Sequence, residues 1–595
     1  MKKLSVILAC SLVMMAGCKP KDNPIKLNQV GFYPQAEKTA SIEDDARTNE
    51  AALLTMDGKV VWEGKAVREA VSPWSGKTRH IIDFSEVTEP GEYLLRVGES
   101  VRKVYIRNHA LAEVAQAGMK AYYLQRCGCP IEEQYAGEYA REAAHFDTCV
   151  MVHPSAASES RPAGYVFASP YGWYDAGDYN KYIINSGFTI GMLLLGYEAD
   201  NVYYDAMSLN IPESGNEVPD ILDEIAYNLR WMQTMQDPED GGVYHKLTTP
   251  NFEGFVMPID CHQQRYAVQK SAPAALDFAA TLAMAARVYK AYPEYAAEDE
   301  KMLRQAERAY AWAVRNPNVL YDQEGNNSKY EPQISTGMYN DSTSWDEFFW
   351  ASTELYITTG QQSYLEQAKA FMPKRFRMPT WGDIEWLGAY EWLQYASFTD
   401  DVNAQEFVEK LRPMLFTYLD DQLGKVSTSC YQMPYGNDPT DFCWGGNAEI
   451  CCGRGIAMLY GYRLSGDPRY LTGALQTANY ILGQNATGYC FVTGLGQKQV
   501  MHPHQRISSA DGVEAPLPGF LAGGPNPGQH DKESLGAYKY ESDFPDESYL
   551  DVEPSYASNE IAINWNAYLV HLMAGVDAAF GCRPGRNIWP KPIVS

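Results

Sequence analysis

The chain has 595 residues, is 45% hydrophobic and carries a formal net charge of -26. That length allows one large domain and at least one smaller one, and the hydrophobic fraction suits an ordinary soluble core. The acidic balance disfavours nucleic acid and anionic lipid as partners, whereas 42 Tyr, 20 Phe and 13 Trp supply flat rings both for a core and for the apolar faces of a neutral glycan.

Residues 1–17 read as a secretory signal: Lys2-Lys3, an apolar run over 4–15, then Ala16-Gly17. The Ala16-Gly17-Cys18 ending resembles a bacterial lipobox. Cys18 is therefore the expected lipidated first residue of a protein anchored at the bacterial cell envelope, with a soluble secreted product as the alternative. No later run is long and apolar enough to span a bilayer. Residues 18–24 form a polar tether. Residues 25–108 contain short alternating runs at 51–56, 60–62, 80–84, 93–97 and 101–106, punctuated by Gly58, Gly64, Gly76 and Gly91. This spacing predicts a small β-sandwich.

From 109 to 585 the texture is helical. Ile221, Ile225, Leu229 and Met232 mark one face at 3.6 periodicity. Further helices are expected at 274–289, 345–358, 404–419, 450–464, 470–482 and 560–579, joined by loops rich in Gly, Pro and aromatics. The pattern points to a helical barrel. Ten cysteines remain beyond Cys10 and Cys18, without disulfide-scaffold spacing. Cys127 and Cys129, with His145 and Cys149 downstream, form half of a zinc-like set.

Several segments carry chemistry. In the loop 171–182, Asp175 and Asp178 stand three apart around Gly177, which permits a tight turn. Two converging carboxylates can hold and deprotonate a water; an Asp-rich turn also serves as a plain turn or a calcium loop. Asp220, Asp223 and Glu224 suit the start of a helix through capping and the dipole. Ser342, Asp346, Glu347 and Asp383 are oxygen donors of the type that calcium takes. His502, His504 and Arg506 follow a Gly-rich loop and read either as a core network or as a site. In 549–567, Asp551 and Glu560 lie among Tyr549, Tyr556 and Trp565, and Glu560 stands where a loop becomes a buried helix. There it is either a surface Glu in a first turn or a desolvated carboxyl with a raised pKa, which a general acid near neutral pH needs.

The words Asp175-Ala176-Gly177-Asp178, His504-x-Arg506 and Tyr549-x-Asp551…Tyr556…Glu560-x-Ala562…Asn566-Ala567 together resemble glycoside hydrolase family 9, the cellulase family E. The 27–32 segment is similar to the immunoglobulin-like domain of one branch. The resemblance implies an immunoglobulin-like β-sandwich at 25–108 and an (α/α)6 barrel at 109–585. It implies Glu560 as proton donor, Asp178 as base, Asp175 as holder of the water and Asp551 as support. His502, His504, Arg506 and Tyr556 would meet the sugar beside the scissile bond. The implied reaction is inverting cleavage of β-1,4-glucosidic bonds, endo-acting on a β-glucan, with no cofactor in the chemistry. An exo-acting oligosaccharidase and a catalytically silent glycan-binding lipoprotein are the alternatives. Some relatives bind calcium through an acidic pair at the place of 346–347, and some bind zinc through two Cys and two His. Of the zinc set only Cys127 and His145 match; Ala144 and Tyr174 fill the other places, so that zinc is not expected unless Cys129 or Cys149 substitutes. Cys490 stands where a Ser, Thr or Val is usual. Oligomeric state is not legible.

Overall fold

The computed structural model describes residues 22–43, 50–438, 441–442 and 445–581. The expected signal peptide, Cys18 and most of the tether lie outside the described residues.

Eight strands come first: β1 (Ile25–Lys26), β2 (Thr39–Glu43), β3 (Glu50–Thr55), β4 (Val60–Lys65), β5 (Arg68–Val71), β6 (Thr78–Asp83), β7 (Gly91–Val97) and β8 (Ser100–Ile106). They form two antiparallel four-stranded sheets, ordered β1-β2-β6-β5 and β4-β3-β7-β8. Alternation puts Ile42, Leu53, Ile82, Leu95 and Val104 between the sheets as one core. This is the expected sandwich, with three strands (β1, β2 and β5) that the sequence pattern had not marked.

Among the described residues, twelve helices of nine or more residues follow: α1 (Ala112–Leu124), α2 (Ile183–Asp205), α3 (Asp220–Thr234), α4 (Ala272–Tyr289), α5 (Glu298–Arg315), α6 (Trp345–Thr359), α7 (Gln362–Ala370), α8 (Glu385–Tyr395), α9 (Val402–Val426), α10 (Asn447–Ser465), α11 (Pro468–Ile481) and α12 (Ile563–Gly581). Burial sorts them into two rings. The even-numbered helices are buried nearly all round; α4 buries 17 of its 18 residues. Of the outer helices, α5, α7 and α9 bury one stripe, as α5 does through Met302, Ala306, Ala309, Tyr310 and Ala313, whereas α3 and α11 are mostly buried. The inner ring closes on itself. α2 packs on α12 and α4, and α6 on α4 and α8. Tyr390 of α8 stacks on Tyr460 of α10 at 4.2 Å, and α10 packs on α12. This is an (α/α)6 barrel.

Local chemistry sets the helix ends. Ser271 caps α4 by accepting from the Ala274 N–H, with Pro273 in the first turn. Asp467 and Pro468 do the same for α11, and Gly360 and Gly466 end α6 and α10 in the left-handed region. The inner helices approach closely because glycines line them. A Cβ on Gly191 would stand 2.5 Å from Trp350, and one on Gly187 2.9 Å from Asp277. The long loops ahead of α2, α4, α6 and α12 gather at one end of the barrel. Part of them pairs into a small sheet of β9 (Val150–Val152), β10 (Val166–Phe167), β11 (Lys181–Tyr182), β12 (Lys246–Thr248) and β13 (Tyr266–Ala267), in the order β10-β9-β13-β12-β11.

The sandwich is fastened along the flank of the barrel, from this end to the C-terminal turns of α12. The Gln29 side chain, 3% exposed, accepts from the backbone N–H groups of Gln497 and Lys498 at 2.8 and 2.7 Å and donates to the Gly488 carbonyl at 2.8 Å. Asn28 bonds Asn479 at 2.8 Å, and the Tyr33 hydroxyl donates to Asp577 at 2.6 Å. Replacing Gln29 with Ala leaves three backbone groups at the interface without their partner. The denaturant midpoint should fall by the equivalent of about 1–3 kcal/mol, measured by tryptophan fluorescence in urea; an unchanged midpoint would show the domains to be energetically independent.

Candidate active site

The site is assembled from backbone outward. Residues 504 and 560 pair as a parallel bridge, with the His504 N–H bonded to the Asn559 carbonyl at 2.9 Å. On the other side the Gly523 N–H donates to the Glu560 carbonyl at 2.9 Å, and residues 522 and 561 pair. Glu560 therefore lies in extended backbone (φ -70°, ψ 161°) just after the short helix Tyr556–Asn559. The expected helix 560–579 begins at Ile563 instead. The Ile563 N–H donates to the Asp175 carbonyl at 2.9 Å, and the Arg506 N–H to the Gly177 carbonyl at 3.1 Å. The turn 175–178 is thus bonded onto the strand that carries Glu560.

Gly177 is the closest point of this contact. Its N–H donates to Glu560 Oε1 at 3.3 Å, and a Cβ there would lie 2.1 Å from the His504 carbonyl oxygen. No other residue fits without moving one of the two strands.

The three central carboxyls have different surroundings. Asp175, 2% exposed, accepts from Asn185 Nδ2 and from the Tyr339 hydroxyl, both at 2.7 Å. Burial, and then the neighbouring Asp178 charge, raise its pKa to about 8. Asp178, 5% exposed, accepts from Asn180 Nδ2 at 2.5 Å and from the Tyr182 hydroxyl at 3.1 Å. Asn180 is itself held by Thr248 and Thr249. Glu560 is partly exposed at the cleft. Burial of its carboxyl, and then the Asp178 charge, raise its pKa to about 8. At neutral pH the arrangement keeps Glu560 and Asp175 mainly in the acid form, on either side of Asp178.

The remaining expected residues take supporting places. Asp551 accepts from the N–H groups of Met501 and His502 at 2.9 and 2.8 Å and from Asn559 at 3.2 Å, so it fixes the strand leading to His504. His502 contributes backbone to that joint while remaining exposed. His504 Nδ1 meets the Glu553 carbonyl at 2.7 Å, which places its proton on Nδ1 and leaves Nε2 as an acceptor. Burial lowers its pKa to about 4, so the ring is neutral at pH 7. Tyr556 sits edge-on to His504 at 6.0 Å. Arg506, expected to meet sugar hydroxyls, directs Nη1 to the Gly177 carbonyl at 2.7 Å and Nε to the Glu253 carbonyl at 2.8 Å, with Phe252 and Phe255 packed on its guanidinium. It braces the catalytic turn as well as lining the site. Tyr339, Asn180, Tyr182 and Asn185 were missing from the sequence reading. Asn180 and Tyr182 stand in the 171–182 loop itself; Tyr339 is 164 residues from its partner Asp175, and no local pattern announces it.

The metal candidates need correction. Asp341, Asp346 and Glu347 each offer an oxygen, and these atoms lie within 4.8 Å of one another. Asp383 instead pairs with Arg377, and Ser342 is exposed. Both Oε atoms of Glu347, Oδ1 of Asp346, Oδ2 of Asp341 and both oxygens of the nearby Asp277 are buried without a hydrogen-bond partner. Burial and mutual repulsion raise the pKa of all four groups. An all-oxygen, anionic, unsatisfied donor set fits a hard divalent cation. At the place of the implied zinc, His145 Nδ1 bonds the Tyr174 hydroxyl at 2.9 Å, and Asp147 pairs with Lys181 and Arg265 at 2.7 and 3.2 Å. Burial pushes the neighbouring Cys127 thiol up to about 11, so it is held neutral.

Gly177→Ala should lower kcat at least about 100-fold, because displacement of either strand by an ångström misplaces acid and base. The melting temperature, read alongside, separates this from unfolding; near-native kcat would show that the contact is not needed.

The profile of glycosyl hydrolase family 9 matches residues 112–573, and that of the cellulase N-terminal ig-like domain matches 21–102. The xyloglucan-specific endo-beta-1,4-glucanase BoGH9A of Bacteroides ovatus is 49% identical over 559 residues, 94% of each chain. Endoglucanase D of Acetivibrio thermocellus is 33% identical over 93% of this chain and 83% of its own. A solved structure described as Bacteroides ovatus GH9 superposes with a TM-score of 0.89 at 47% identity, covering 94% of this chain and 99% of that one. The barrel, the sandwich ahead of it and the three carboxyl groups around Gly177 converge with these matches: the chain belongs to glycosyl hydrolase family 9.

Proposed function

We propose that the protein is an inverting endo-β-1,4-glucanase whose substrate is a soluble β-glucan, with xyloglucan the first candidate. The observation that carries this is the contact of Glu560, protonated at neutral pH, with the Asp175–Asp178 turn through Gly177. Glu560 donates its proton to the glycosidic oxygen as the bond breaks. Asp178 removes a proton from a water attacking the opposite face of the ring, and Asp175, fixed by Tyr339 and Asn185, holds that water. Single displacement needs room for that water between the two carboxyls, about 6.5–9.5 Å. His504 Nε2 is an acceptor for a sugar hydroxyl. Xyloglucan is favoured because the relative from Bacteroides ovatus, alike over nearly the whole of both chains, is named for it.

The test follows viscosity and reducing ends together on xyloglucan and on a mixed-linkage β-glucan. Rapid loss of viscosity with few new ends, and α-anomeric products by NMR, are expected. Ends accumulating at constant viscosity would give the exo-acting reading, and β-anomeric products would overturn inversion. Glu560→Gln should lower kcat by about 10²–10⁴ while binding is kept. In the parent, kcat should fall as pH rises through about 8, because Glu560 then loses the proton it must donate. A rate still rising above pH 9 would remove Glu560 from that role.

We also propose that Asp341, Asp346 and Glu347, with Asp277 beside them, hold a structural calcium, whose charge would offset carboxylates that have no Lys or Arg within ion-pair distance among the described residues. Calcium at 100 times its Kd would add about 2.7 kcal/mol of stability. Calorimetry should show a higher Tm with calcium, reversal by a chelator, and no increment in Glu347→Gln. The same Tm with and without calcium would dismiss the site.

A further inference from the structure

We propose a second glycan-binding site on the flank of the barrel, in a cleft of about 410 Å³ between α3, the α4–α5 connection and α5. Small-molecule sites run from about 300 to 1,000 Å³, so a short oligosaccharide segment fits.

The walls combine rings with hydrogen-bonding groups. Tyr171 stands at the rim, 40% exposed, with Arg230 over its ring at 5.9 Å and Tyr227 edge-on at 5.3 Å. Tyr295, half-buried, is fixed by its hydroxyl on Asp223 at 3.0 Å. Gln305 donates to the Gln233 carbonyl at 3.3 Å, which fixes its side chain in the cleft wall. Arg230 is exposed at the same rim, with its guanidinium over the Tyr171 ring. The cleft thus offers a solvent-facing guanidinium, fixed polar side chains and aromatic faces. Its charges balance, Arg230 and Lys301 against Glu294 and Glu298, in a chain of net charge -26. A neutral ring with apolar faces and hydroxyls at its edge satisfies all of these; an anion or a hydrocarbon satisfies only part.

The position ties the cleft to the substrate. Tyr171 opens the segment that carries Asp175 and Asp178. It lies in the left-handed region (φ 68°), where a Tyr is strained, and its carbonyl is gripped by Lys181 Nζ at 2.7 Å. The ligand is therefore a β-1,4-glucan segment, an identity that rests on the hydrolase reading above; the existence of a polyhydroxyl site does not.

The test is calorimetric titration of Glu560→Gln with cellotetraose and, separately, a xyloglucan oligosaccharide. Two sites are expected. Adding Arg230→Ala, or independently Gln305→Leu, should remove one and leave the other constant unchanged within twofold, with Tm reporting that each variant folds. One site in Glu560→Gln that both variants retain, or two sites in both variants, overturns the proposal. One site that both variants remove keeps the flank site and counts against the cleft. No heat with either probe overturns both.

Discussion

The structure depends on one backbone contact. The turn 175–178 touches the backbone of His504, in the strand paired with Glu560, at Gly177, where no side chain fits, and everything chemical is referred to that point. Asp175 and Asp178 are fixed from the side of α2 and the small sheet, through Asn185, Tyr182 and Asn180. Glu560 is fixed from the side of α12, through His504 and Gly523. Elements almost 400 residues apart in the chain are held in register by hydrogen bonds between main chains, which do not depend on rotamers. A glycosidase needs its acid and base at a set separation, and a separation carried by backbone is far stiffer than one carried by side chains.

The same contact explains the division of labour between the carboxyls. Asp175 and Glu560 are both pulled out of water, and desolvation raises the pKa of both. The surroundings differ in what they return. Asp178 receives an amide and a phenol. Glu560 receives a single 3.3 Å amide N–H and faces the charge on Asp178. Burial is the larger cause of the raised pKa at Glu560, the Asp178 charge adds to it, and the single long N–H offsets little of either.

Much of this was legible in the sequence, for identifiable reasons. Asp175, Asp178, His504, Arg506, Asp551 and Glu560 stand in short words whose spacing reflects local backbone, and local backbone survives in a sequence. Partners brought in from other elements do not: Tyr339 reaches Asp175, and Asp277 reaches the acidic cluster, only through the barrel. Helices α1, α2, α5, α7 and α8 went unmarked. In α2 the reason is physical: Gly187, Gly191 and Gly196 look like loop punctuation, yet serve close packing against α4, α6 and α12. Glu560 was placed at a helix start because the apolar run begins beside it, whereas two inter-strand bridges hold it extended. Asp383 was assigned a cation's ligand role by its position and is instead neutralised by Arg377.

The grip of Gln29 on residues 488, 497 and 498 has a wider meaning. Those residues belong to the loop that runs on, a few positions later, into His504 and Arg506. The sandwich is therefore a splint for one wall of the active cleft rather than an appendage. Modular exchange, in which such domains are swapped between enzymes as independent cassettes, is closed to this architecture unless the matching loop travels with the domain; the inheritable unit is sandwich plus loop.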